Sequence, residues 1–366
     1  MARLAGVSTA TVSFAYSKPD RVRPKTRETV LAAASAIGYV PRASARDLAR
    51  GSAGALGLHA FDLLLETPGG SRPPMPGVEL IQPDASGLVR LDWEDGYDDS
   101  MSDPRAFPLY VDEVQRGFEL ECWRAGRALV LSSGTDPRSD LTESAGRVDG
   151  LAVFPGAASL TALEQVARRI PVVLLSRHDE GLPCSRVLVD NAGGMRQLLR
   201  HLTVDHAVQS LGFVGSLAVP EYAERFDALR TGVEEAGLRS VEVIDASNFT
   251  DPEPLGVLAD LAAAGRLPRA VVCASDQLAL LALDLFTRIG VSVPGDVLVT
   301  GFDGVLAGRL SQPSLTTVRQ PMEAMGRLAA RLLVDGVQGG PSRATYRMAP
   351  RLVRRASCGC DPADQG

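Results

Sequence analysis

The spacing of hydrophobic and polar residues divides the chain into a short helical beginning and a long stretch of alternating strand and helix patterns. Residues 1–40 are rich in alanine and have helical spacing, with turn residues at Lys18–Asp20 and a stop at Gly38. From Ala53 onward, apolar runs of strand length alternate with amphipathic segments of helix length. The pattern therefore predicts a small helical head followed by a larger α/β body.

The body is predicted to contain nine strands and seven helices. The predicted strands are Leu56–Ala60, Ala128–Ser132, Gly150–Phe154, Pro171–Ser176, Arg186–Val189, Ser210–Val214, Val241–Ile244, Ala270–Ala274 and Val297–Gly301. The predicted helices are Val111–Ala125, Leu160–Arg168, Gly193–His201, Tyr222–Ala236, Glu253–Ala263, Gln277–Ile289 and Glu323–Asp335. Such alternation is typical of parallel sheets joined by right-handed crossovers. Nine strands are too many for one compact sheet, so two α/β lobes are expected, with a ligand between them at the carboxyl ends of the strands.

Two segments do not follow this alternation. Residues 62–106 contain six Pro, five Gly and ten acidic residues against three Arg. Val78–Ile81 and Leu88–Leu91 can pair as a hairpin, but the composition favours a disordered acidic insertion. Residues 42–50, between Pro41 and Gly51, are short and capable of forming a helix.

Chain length, hydrophobic content and charge distribution indicate a folded protein of two or three domains with a basic head. A chain of 366 residues with 45% hydrophobic residues can bury a sizeable core in two or three domains. Residues 1–52 carry nine basic and three acidic side chains, although the whole chain has a formal net charge of −6. A basic head indicates a polyanionic partner, while an ordinary solvated domain would have the same charge. Because no apolar run can cross a bilayer and no export signal is recognised, a cytoplasmic protein without a membrane partner is predicted.

The five cysteines do not define a disulfide framework. Cys122, Cys184 and Cys273 lie in apolar runs, where a free thiol behaves as a small buried hydrophobe. Cys358-Gly-Cys360 resembles half of a metal or redox site, but no second pair is recognised at zinc spacing. No metal site and no cofactor are therefore predicted.

The head fits a helix-turn-helix. Ala2 allows two helices to approach, Gly6 allows a tight turn, and Ser8 can cap a second helix over Thr9–Tyr16. A third helix over Pro24–Gly38 is predicted to bury Val30, Leu31, Ala34 and Ile37. The short polar residues on the outward face of the second helix suit a DNA major groove about 12 Å wide. On this pattern alone, a three-helix packing module is an equally good interpretation.

Several motifs in a fixed order resemble the lactose-repressor (LacI/GalR) family. In the head these are RLAGVSTATVS at residues 3–13, VRPKTR at 22–27, IGYVP at 37–41 and ARDL at 45–48. The body adds VDN at 189–191, GFVG at 212–215, ASDQLA at 274–279, GFD at 301–303 and LTTVRQP at 315–321.

The resemblance implies the domain organisation. It predicts a helix-turn-helix domain in residues 1–41, a hinge helix and linker in 42–52, a two-lobed periplasmic-binding-protein-like core in 53–360 and a tail in 361–366. The first lobe would combine about 53–187 with 318–345, and the second about 188–317 with 346–360. The family's first helix usually begins several residues before the position of Met1, so most of that helix is expected to be missing.

The same resemblance assigns contacts with a double-stranded DNA operator. Thr9, Ala10 and Phe14 occupy base-reading positions. The phosphate contacts would be Ser8, Thr11, Ser13, Arg23, Lys25, Thr26 and Arg42. In the hinge, Ala45, Arg46 and Leu48 would reach the minor groove, with Leu48 as the wedge that kinks the operator. Phe14 stands where the family usually has a basic residue, and it can contact a thymine methyl group but cannot donate a hydrogen bond to guanine.

In the core, the resemblance and the residue chemistry indicate a site for a polyhydroxylated small molecule. The candidate effector-binding residues are Tyr110, Asn191, Arg225, Asp276 and Asp303. Some of these residues and their neighbours also have a structural interpretation. Asp190 and Asp276 can cap helices, Arg225 can be a surface cation, and His201 can complete a helix. Ser275 and Gly304 depart from the family's usual Asn and Asp, which leaves the ligand class open.

Together these features predict a homodimeric repressor that binds an inverted-repeat operator and responds to a small sugar-like effector. Whether the effector induces or co-represses is left open. The alternatives are a solute-binding protein of the same core fold and a regulator whose truncated head no longer binds DNA. An enzyme is disfavoured, because Gly212–Gly215 is not a full dinucleotide-binding fingerprint and Ser176–Asp179 lacks a nucleophile elbow. No catalytic residue is predicted.

Overall fold

The computed structural model describes residues 1–17, 21–37, 52–61, 86, 109–134, 139–154, 159–176, 181–238, 240–245, 255–340 and 343–360. The chain divides into two compact units, Met1–Ala55 and Leu56–Gly366. The predicted hinge helix at 42–50, nearly all of the acidic insertion at 62–106 and the tail at 361–366 lie outside the described residues. In the described part of the chain, no helix has both the length and the hydropathy needed to cross a membrane.

The first unit contains the predicted helix-turn-helix. Its helices are α1 (Ala2–Ala5), α2 (Thr9–Ser17) and α3 (Pro24–Ala36). Helix α1 ends at Gly6, whose φ of +64° is the left-handed conformation that glycine adopts without strain. The Ser8 Oγ accepts a hydrogen bond from the Thr11 backbone N–H at 3.1 Å and so caps α2, as predicted.

Small side chains fill the contact between the three helices. Ala5, Ala15, Val30 and Ala33 form the buried cluster of this unit, and Ala34 is buried beside it. Two residues predicted to be buried are instead exposed, Leu31 at 37% and Ile37 at 52%. The prediction was wrong because the buried face of α3 follows Val30, Ala33 and Ala34 at helical spacing. Leu31 points about 100° away from that face and Ile37 follows the last residue of α3.

The second unit contains two sheets, parallel except for the last strand, with flanking helices, as predicted. The elements up to the first crossing between the sheets are β1 (Ala55–Phe61), α4 (Leu109–Arg124), β2 (Ala128–Gly134), α5 (Ser139–Ala145), β3 (Gly150–Val153), α6 (Leu160–Ala167), β4 (Val172–Leu175) and β5 (Ser185–Val189). Those of the second lobe are α7 (Asn191–Arg200), a π-helical turn (His201–Asp205), β6 (Leu211–Val214), α8 (Pro220–Glu235), β7 (Glu242–Ile244), α9 (Gly256–Ala263), β8 (Ala270–Cys273), α10 (Asp276–Ile289), β9 (Leu298–Asp303), α11 (Leu306–Leu310) and β10 (Thr316–Arg319). The chain then returns through α12 (Met322–Gly339) and β11 (Thr345–Met348), and ends with β12 (Arg351–Val353) and a 3₁₀ turn (Ala356–Cys358).

Among the described residues, the strand order is β11-β5-β4-β3-β1-β2 in the first sheet and β12-β10-β9-β8-β6-β7 in the second. The chain passes between the sheets after β5, after β10 and after β11. The crossings therefore lie a few residues from the expected lobe boundaries, because β5 continues to Val189, β10 belongs to the second sheet and β11 returns to the first. Strand β12 pairs antiparallel with β10, so the residues after β12 lie at the amino end of β10.

Five elements of the core were not predicted. Helices α5 and α11 are only seven and five residues long, which is too short for helical periodicity to be visible. Strands β10, β11 and β12 have three or four residues each, and the two that lie at sheet edges are only partly buried. Short edge strands carry little hydrophobic pattern, which explains why the sequence did not indicate them.

The first lobe depends on an unusually close contact between α4 and α12. A Cβ atom built on Gly326 of α12 would lie 1.9 Å from the Val114 carbonyl oxygen, and one built on Gly117 would lie 1.9 Å from the Glu323 carbonyl oxygen. Real Cβ atoms cannot approach so closely. One glycine on each helix, each lying against the backbone of the other helix, therefore allows the two helix backbones to touch.

We predict that Gly326→Ala lowers the free energy of unfolding by about 1–3 kcal/mol, because the added methyl group must push α12 away from α4. Urea denaturation followed by circular dichroism measures the change. Gly339→Ala in the same helix is the matched control, because a Cβ atom there meets no atom within 4 Å. It should leave the stability unchanged or raise it by up to about 1 kcal/mol. Equal losses in the two variants would contradict the close-contact explanation.

Candidate functional site

The outward face of α2 is open in the helical head. Thr9, Ala10 and Ser13 are exposed, and Phe14 is 41% exposed although it is a large apolar side chain. The remaining described candidates for DNA contact also lie at the surface, with Ser8, Arg23 and Lys25 exposed and Thr11 and Thr26 half-buried. The other candidates, Arg42, Ala45, Arg46 and Leu48, lie outside the described residues.

Ser8 and Thr11 already have a structural role. Their hydroxyl groups lie 2.9 Å apart, and the Ser8 oxygen also caps α2. Both hydroxyl groups remain on the surface with lone pairs and rotatable protons, so a DNA phosphate could share these groups without unfolding the cap.

In the core, Arg225 on α8 organises a buried polar cluster at the carboxyl ends of β8 and β9. Its side chain is 4% exposed. Its Nε donates to the Asn191 Oδ1 at 2.9 Å, and its Nη1 donates to the Ala274 carbonyl oxygen at 2.5 Å. The guanidinium carbon lies 3.7 Å from the centre of the Phe302 ring, which is a cation–π contact. The alternative interpretation of Arg225 as a surface cation was therefore wrong.

Asp303 places its Oδ1 atom 3.8 Å from the Arg225 Nη1. Its Oδ1 also accepts a hydrogen bond from the Gln320 Nε2 at 2.6 Å. Burial raises the pKa of Asp303 to about 7, although the positive charge of Arg225 opposes that shift. The backbone of Asp303 has a φ of +126°, which is strained for a residue other than glycine. Such strain is typical of residues whose position is fixed by function.

Gln320 is a cleft residue that the sequence reasoning missed. It is 1% exposed and follows β10 directly, at the second crossing between the sheets. Within the described residues its Oε1 accepts no hydrogen bond. Only the motif at 315–321 pointed to this region, and nothing in the residue type indicated that the side chain would meet Asp303.

Asp276 has a different role from Asp303. Its carboxylate is fully buried, accepts hydrogen bonds from the backbone N–H groups of Gly304 and Val305 at 2.8 Å each, and receives the Thr317 hydroxyl at 2.5 Å. Burial raises its pKa to about 6, while these hydrogen bonds oppose the shift. A Cβ atom at Gly301 would lie 2.3 Å from its Oδ1, so a glycine is needed there. Asp276 therefore holds the turn after β9. The interpretation of Asp276 as a helix cap was wrong, because the N-cap of α10 is Ser275, whose Oγ accepts the Leu278 N–H at 3.3 Å.

The first lobe contributes Tyr110 near the start of α4. Its hydroxyl lies 2.8 Å from the Ser176 Oγ, and its ring packs edge-on against Phe154 with centroids 5.9 Å apart. Burial raises the pKa of Tyr110, and the charges of Asp303 and Arg225 act on it as well. Among the five core candidates, Arg225 contacts Asn191 and Asp303 directly, and Asp276 holds the turn that follows Asp303. Tyr110 lies close enough to Asp303 and Arg225 for their charges to act on its hydroxyl group.

Two ion pairs join the lobes beside this cleft. Arg319 of β10 donates to both carboxylate oxygens of Glu113 on α4, at 2.6 and 3.1 Å. Arg347 of β11 lies 3.7 Å from Glu224 on α8. Glu224 also accepts a hydrogen bond from the Asn191 Nδ2 at 2.5 Å. The cluster around Arg225 is thus linked through Asn191 and Glu224 to the first lobe.

Two of the structural interpretations can now be assigned. Asp190 caps α7, because its carboxylate accepts the Gly193 N–H at 2.8 Å. His201 follows the last residue of α7, as its structural interpretation proposed, but its ring meets His206, Cys358 and Cys360. The prediction of no metal site overlooked this cluster, because His201 and His206 were not recognised as a possible ligand pair. Four residues separate them, and about three to five residues separate the histidine ligands of structural zinc sites.

Comparison with family models covers both units. Residues 1–42 match the model "Bacterial regulatory proteins, lacI family", and residues 200–358 match the model "Periplasmic binding protein-like domain".

Full-length relatives and solved structures agree with these matches. The chain is 29% identical to the HTH-type transcriptional regulator MalR of Streptomyces coelicolor, over 100% of this chain and 97% of that protein. It is 26% identical to the repressor PurR of Photobacterium profundum, over 98% and 97%. A lac repressor dimer bound to operator and the anti-inducer ONPF has a TM-score of 0.73, 21% identity and coverage of 98% and 97%. A CelR–cellobiose complex has a TM-score of 0.61, 24% identity and coverage of 97% and 98%.

We predict that Asp303→Asn reduces the pH dependence of stability between pH 5 and pH 8. The folded protein keeps the Asp303 proton up to about pH 7, whereas the unfolded chain loses it near pH 4. The stability that this proton contributes is therefore present at low pH and is lost as the pH rises through 7. Asparagine cannot ionise. The change in unfolding free energy, variant minus wild type, should therefore be more positive at pH 8 than at pH 5.

Urea denaturation of both proteins at the two pH values measures this difference. A tenfold change in proton affinity corresponds to about 1.4 kcal/mol, so a difference of one to a few kcal/mol is expected. Asp284→Asn, at an exposed carboxylate on α10, is the control and should give the same change at both pH values. The explanation fails if Asp303→Asn also gives a change that does not depend on pH.

Proposed function

Because residues 1–42 match the lacI family of bacterial regulatory proteins and residues 200–358 match a periplasmic binding protein-like domain, we propose that the chain is a transcriptional repressor that binds a symmetric DNA operator and responds to a small polar effector. The observation that carries this proposal is that the matches to a DNA-binding head and a ligand-binding core lie in one chain, in the order of full-length regulators. The exposed face of α2 and the buried polar cleft supply the two chemistries that such a protein needs.

The head is proposed to read DNA with α2. Thr9, Ala10 and Phe14 would meet base edges in the major groove, and Phe14 would contact a thymine methyl group. The surface side chains proposed to contact phosphates are Ser8, Thr11, Ser13, Arg23, Lys25 and Thr26. Such contacts position the head, and they make binding sensitive to salt.

A homodimer is proposed as the binding species, because a twofold pair of heads matches an inverted repeat. Arg42, Ala45, Arg46 and Leu48 are proposed to form the hinge contact at the centre of the operator, with Leu48 as the minor-groove wedge. This part of the proposal rests on the family motif at 45–48. A protein that acts on DNA in this way works in the cytoplasm, which is the proposed location.

The effector is proposed to bind between Tyr110 and the cluster around Arg225. A polyhydroxylated molecule suits this cleft, because Asp303 and Gln320 offer acceptors, Arg225 offers donors and the Tyr110 ring offers an apolar face. Asp276 would act as a positioning residue that fixes the turn after β9. Asn191 and Gln320 lie directly after two of the crossings between the lobes, so the site is built partly from the segments about which the lobes rotate.

Effector binding is proposed to change the relative orientation of the lobes. A hydroxyl group that bonds to Asn191 competes with Glu224 and therefore weakens the link to Arg347 in the first lobe. A ligand shifts such an equilibrium only as far as its affinities for the two orientations differ. The shift would then alter the spacing of the heads in the dimer.

Two other functions are weaker. A solute-binding protein would use the same cleft but has no need for the basic head that matches a DNA-binding family model. A regulator whose head does not bind DNA remains the relevant alternative. The DNA experiment below separates this alternative from the proposal.

For DNA binding, we predict that the full-length protein enriches an inverted repeat from a library of random duplexes. Phe14→Ala should weaken the selected operator several-fold and relax the preference at one base pair in each half-site, because the apolar contact with thymine is lost. Leu31→Ala is the matched control, since Leu31 is similarly exposed but lies on α3. Affinity should also fall with rising salt for both variants. No preference for any symmetric site over random duplex would refute the proposal.

For effector binding, we predict that a panel of pentoses, hexoses, disaccharides and purines contains a ligand that raises the melting temperature. Arg225→Lys should weaken that ligand at least tenfold, because an ammonium group cannot replace the forked donors of the guanidinium. Arg230→Lys on the same helix is the matched control, since Arg230 is exposed and pairs with Asp227 and Glu234. Isothermal titration measures both. Equal affinities for the two variants would remove Arg225 from the site.

A further inference from the structure

Four side chains that can bind a metal ion meet at the edge of the second lobe. Their ligand atoms lie within 4.8 Å of one another. The members of this cluster, called the C-terminal cluster below, are His201, His206, Cys358 and Cys360. None of them belongs to the effector cleft or to the DNA-reading face.

The fold brings these residues together from two distant parts of the chain. His201 and His206 precede β6, so they lie at its amino end, and Cys358 and Cys360 follow β12, which runs antiparallel to β10. Both pairs are therefore at the amino end of the second sheet, opposite the carboxyl ends at which Asp303 lies. The C-terminal cluster is thus a separate site.

The π-helical turn aligns the two histidines. In a regular α-helix, side chains five residues apart point about 140° away from each other. The turn at His201–Asp205 replaces this geometry, and the Nε2 atoms of His201 and His206 lie 3.2 Å apart. Single π-helical turns often mark functional sites, because they realign side chains at the cost of weaker backbone geometry.

Four of the six distances between ligand atoms are close to those of a tetrahedral zinc site, and the other two are within 4.8 Å. Zinc–nitrogen bonds of about 2.1 Å and zinc–sulfur bonds of about 2.3 Å place two nitrogen ligands about 3.4 Å apart and a nitrogen about 3.6 Å from a sulfur. The two Nε2 atoms lie 3.2 Å apart. The Cys358 Sγ lies 3.4 Å from the His201 Nε2, and the Cys360 Sγ lies 3.7 Å from the His201 Nε2 and 3.4 Å from the His206 Nε2.

A carboxylate orients one of the ligands. The Nδ1 of His201 lies 2.7 Å from the Asp205 Oδ2, so the Nδ1–H donates to the carboxylate and the Nε2 presents its lone pair to the cluster. Zinc-binding histidines almost always have such a partner on the other ring nitrogen. His201 and Cys358 are buried, while His206 and Cys360 are partly exposed, which leaves a path for a metal ion to enter.

We propose that the C-terminal cluster binds one zinc ion with two cysteine and two histidine ligands. Four protein ligands complete the tetrahedron, so the site is of the closed, structural type. The two thiols lose their protons on binding, and the two thiolate charges balance the charge of the ion. The ion joins the chain after β12 to the turn before β6, and so fixes the last described residues to the second lobe.

The test is the metal content of the full-length protein, purified under reducing conditions after incubation with zinc and gel filtration. Mass spectrometry of the metals should find one zinc ion per chain. Removing the ion with a strong chelator should lower the melting temperature by several degrees, and returning zinc should restore it. Cobalt in place of zinc should give the visible absorption of a tetrahedral, thiolate-bound ion.

Cys360→Ser and His206→Asn should each reduce the retained zinc at least tenfold and remove the cobalt spectrum. Cys122→Ala, at a buried cysteine in the core of the first lobe, is the matched control and should retain one zinc ion. Wild-type protein that holds less than a tenth of an equivalent would overturn the proposal, because the four side chains would then only form hydrogen bonds with one another and with Asp205, Thr316 and Arg355. Full zinc retention in both ligand variants would overturn it as well.

Discussion

The architecture of the second lobe depends on withdrawing the Arg225 guanidinium from water. A buried cation is tolerated only if its donors and its charge are satisfied. The four partners of Arg225 come from three places: Asn191 at the start of α7, the Ala274 carbonyl at the end of β8, and the Phe302 ring and Asp303 carboxylate at the end of β9. Satisfying one side chain therefore fixes the relative positions of two strand ends and one helix.

Asp276 extends the same constraint to the rest of this edge. Its three hydrogen bonds hold the turn after β9 and the neighbouring strand β10, and the absence of a side chain at Gly301 lets the carboxylate approach. A site built in this way is stiff before any ligand arrives. Stiffness is what allows a few polar contacts in the cleft to act on the whole lobe, because little of the binding free energy is then lost in ordering side chains.

The alternation of strands and helices could be predicted from the sequence because unbroken apolar runs such as Val172–Leu175 are typical of strands buried on both faces of a parallel sheet. Arg225 and Asp303 could be selected as candidates because the chemistry of their side chains is conspicuous, and Asp303 also lies in the GFD motif at 301–303. The exposure of Leu31 and Ile37, the contact of Gln320 with Asp303 and the meeting of His201 with Cys358 were not found. Each of these depends on tertiary geometry: which side of α3 is covered, where the lobes cross, and a π-helical turn that no residue type specifies.

The two ends of the second sheet carry different kinds of polar cluster, and this difference bears on how the lobe moves. At the carboxyl ends, Asn191 and Glu224 connect the cleft to Arg347 of the first lobe through contacts that a ligand can replace. At the amino ends, the C-terminal cluster, with the zinc ion proposed for it, connects two parts of the same lobe. Among the described residues, none of its hydrogen bonds reaches the first lobe. An exchangeable link on one side and a fixed link on the other favour rotation of the second lobe as a rigid body. Rotation rather than internal deformation is the motion that would carry a change in the cleft to another part of a dimer.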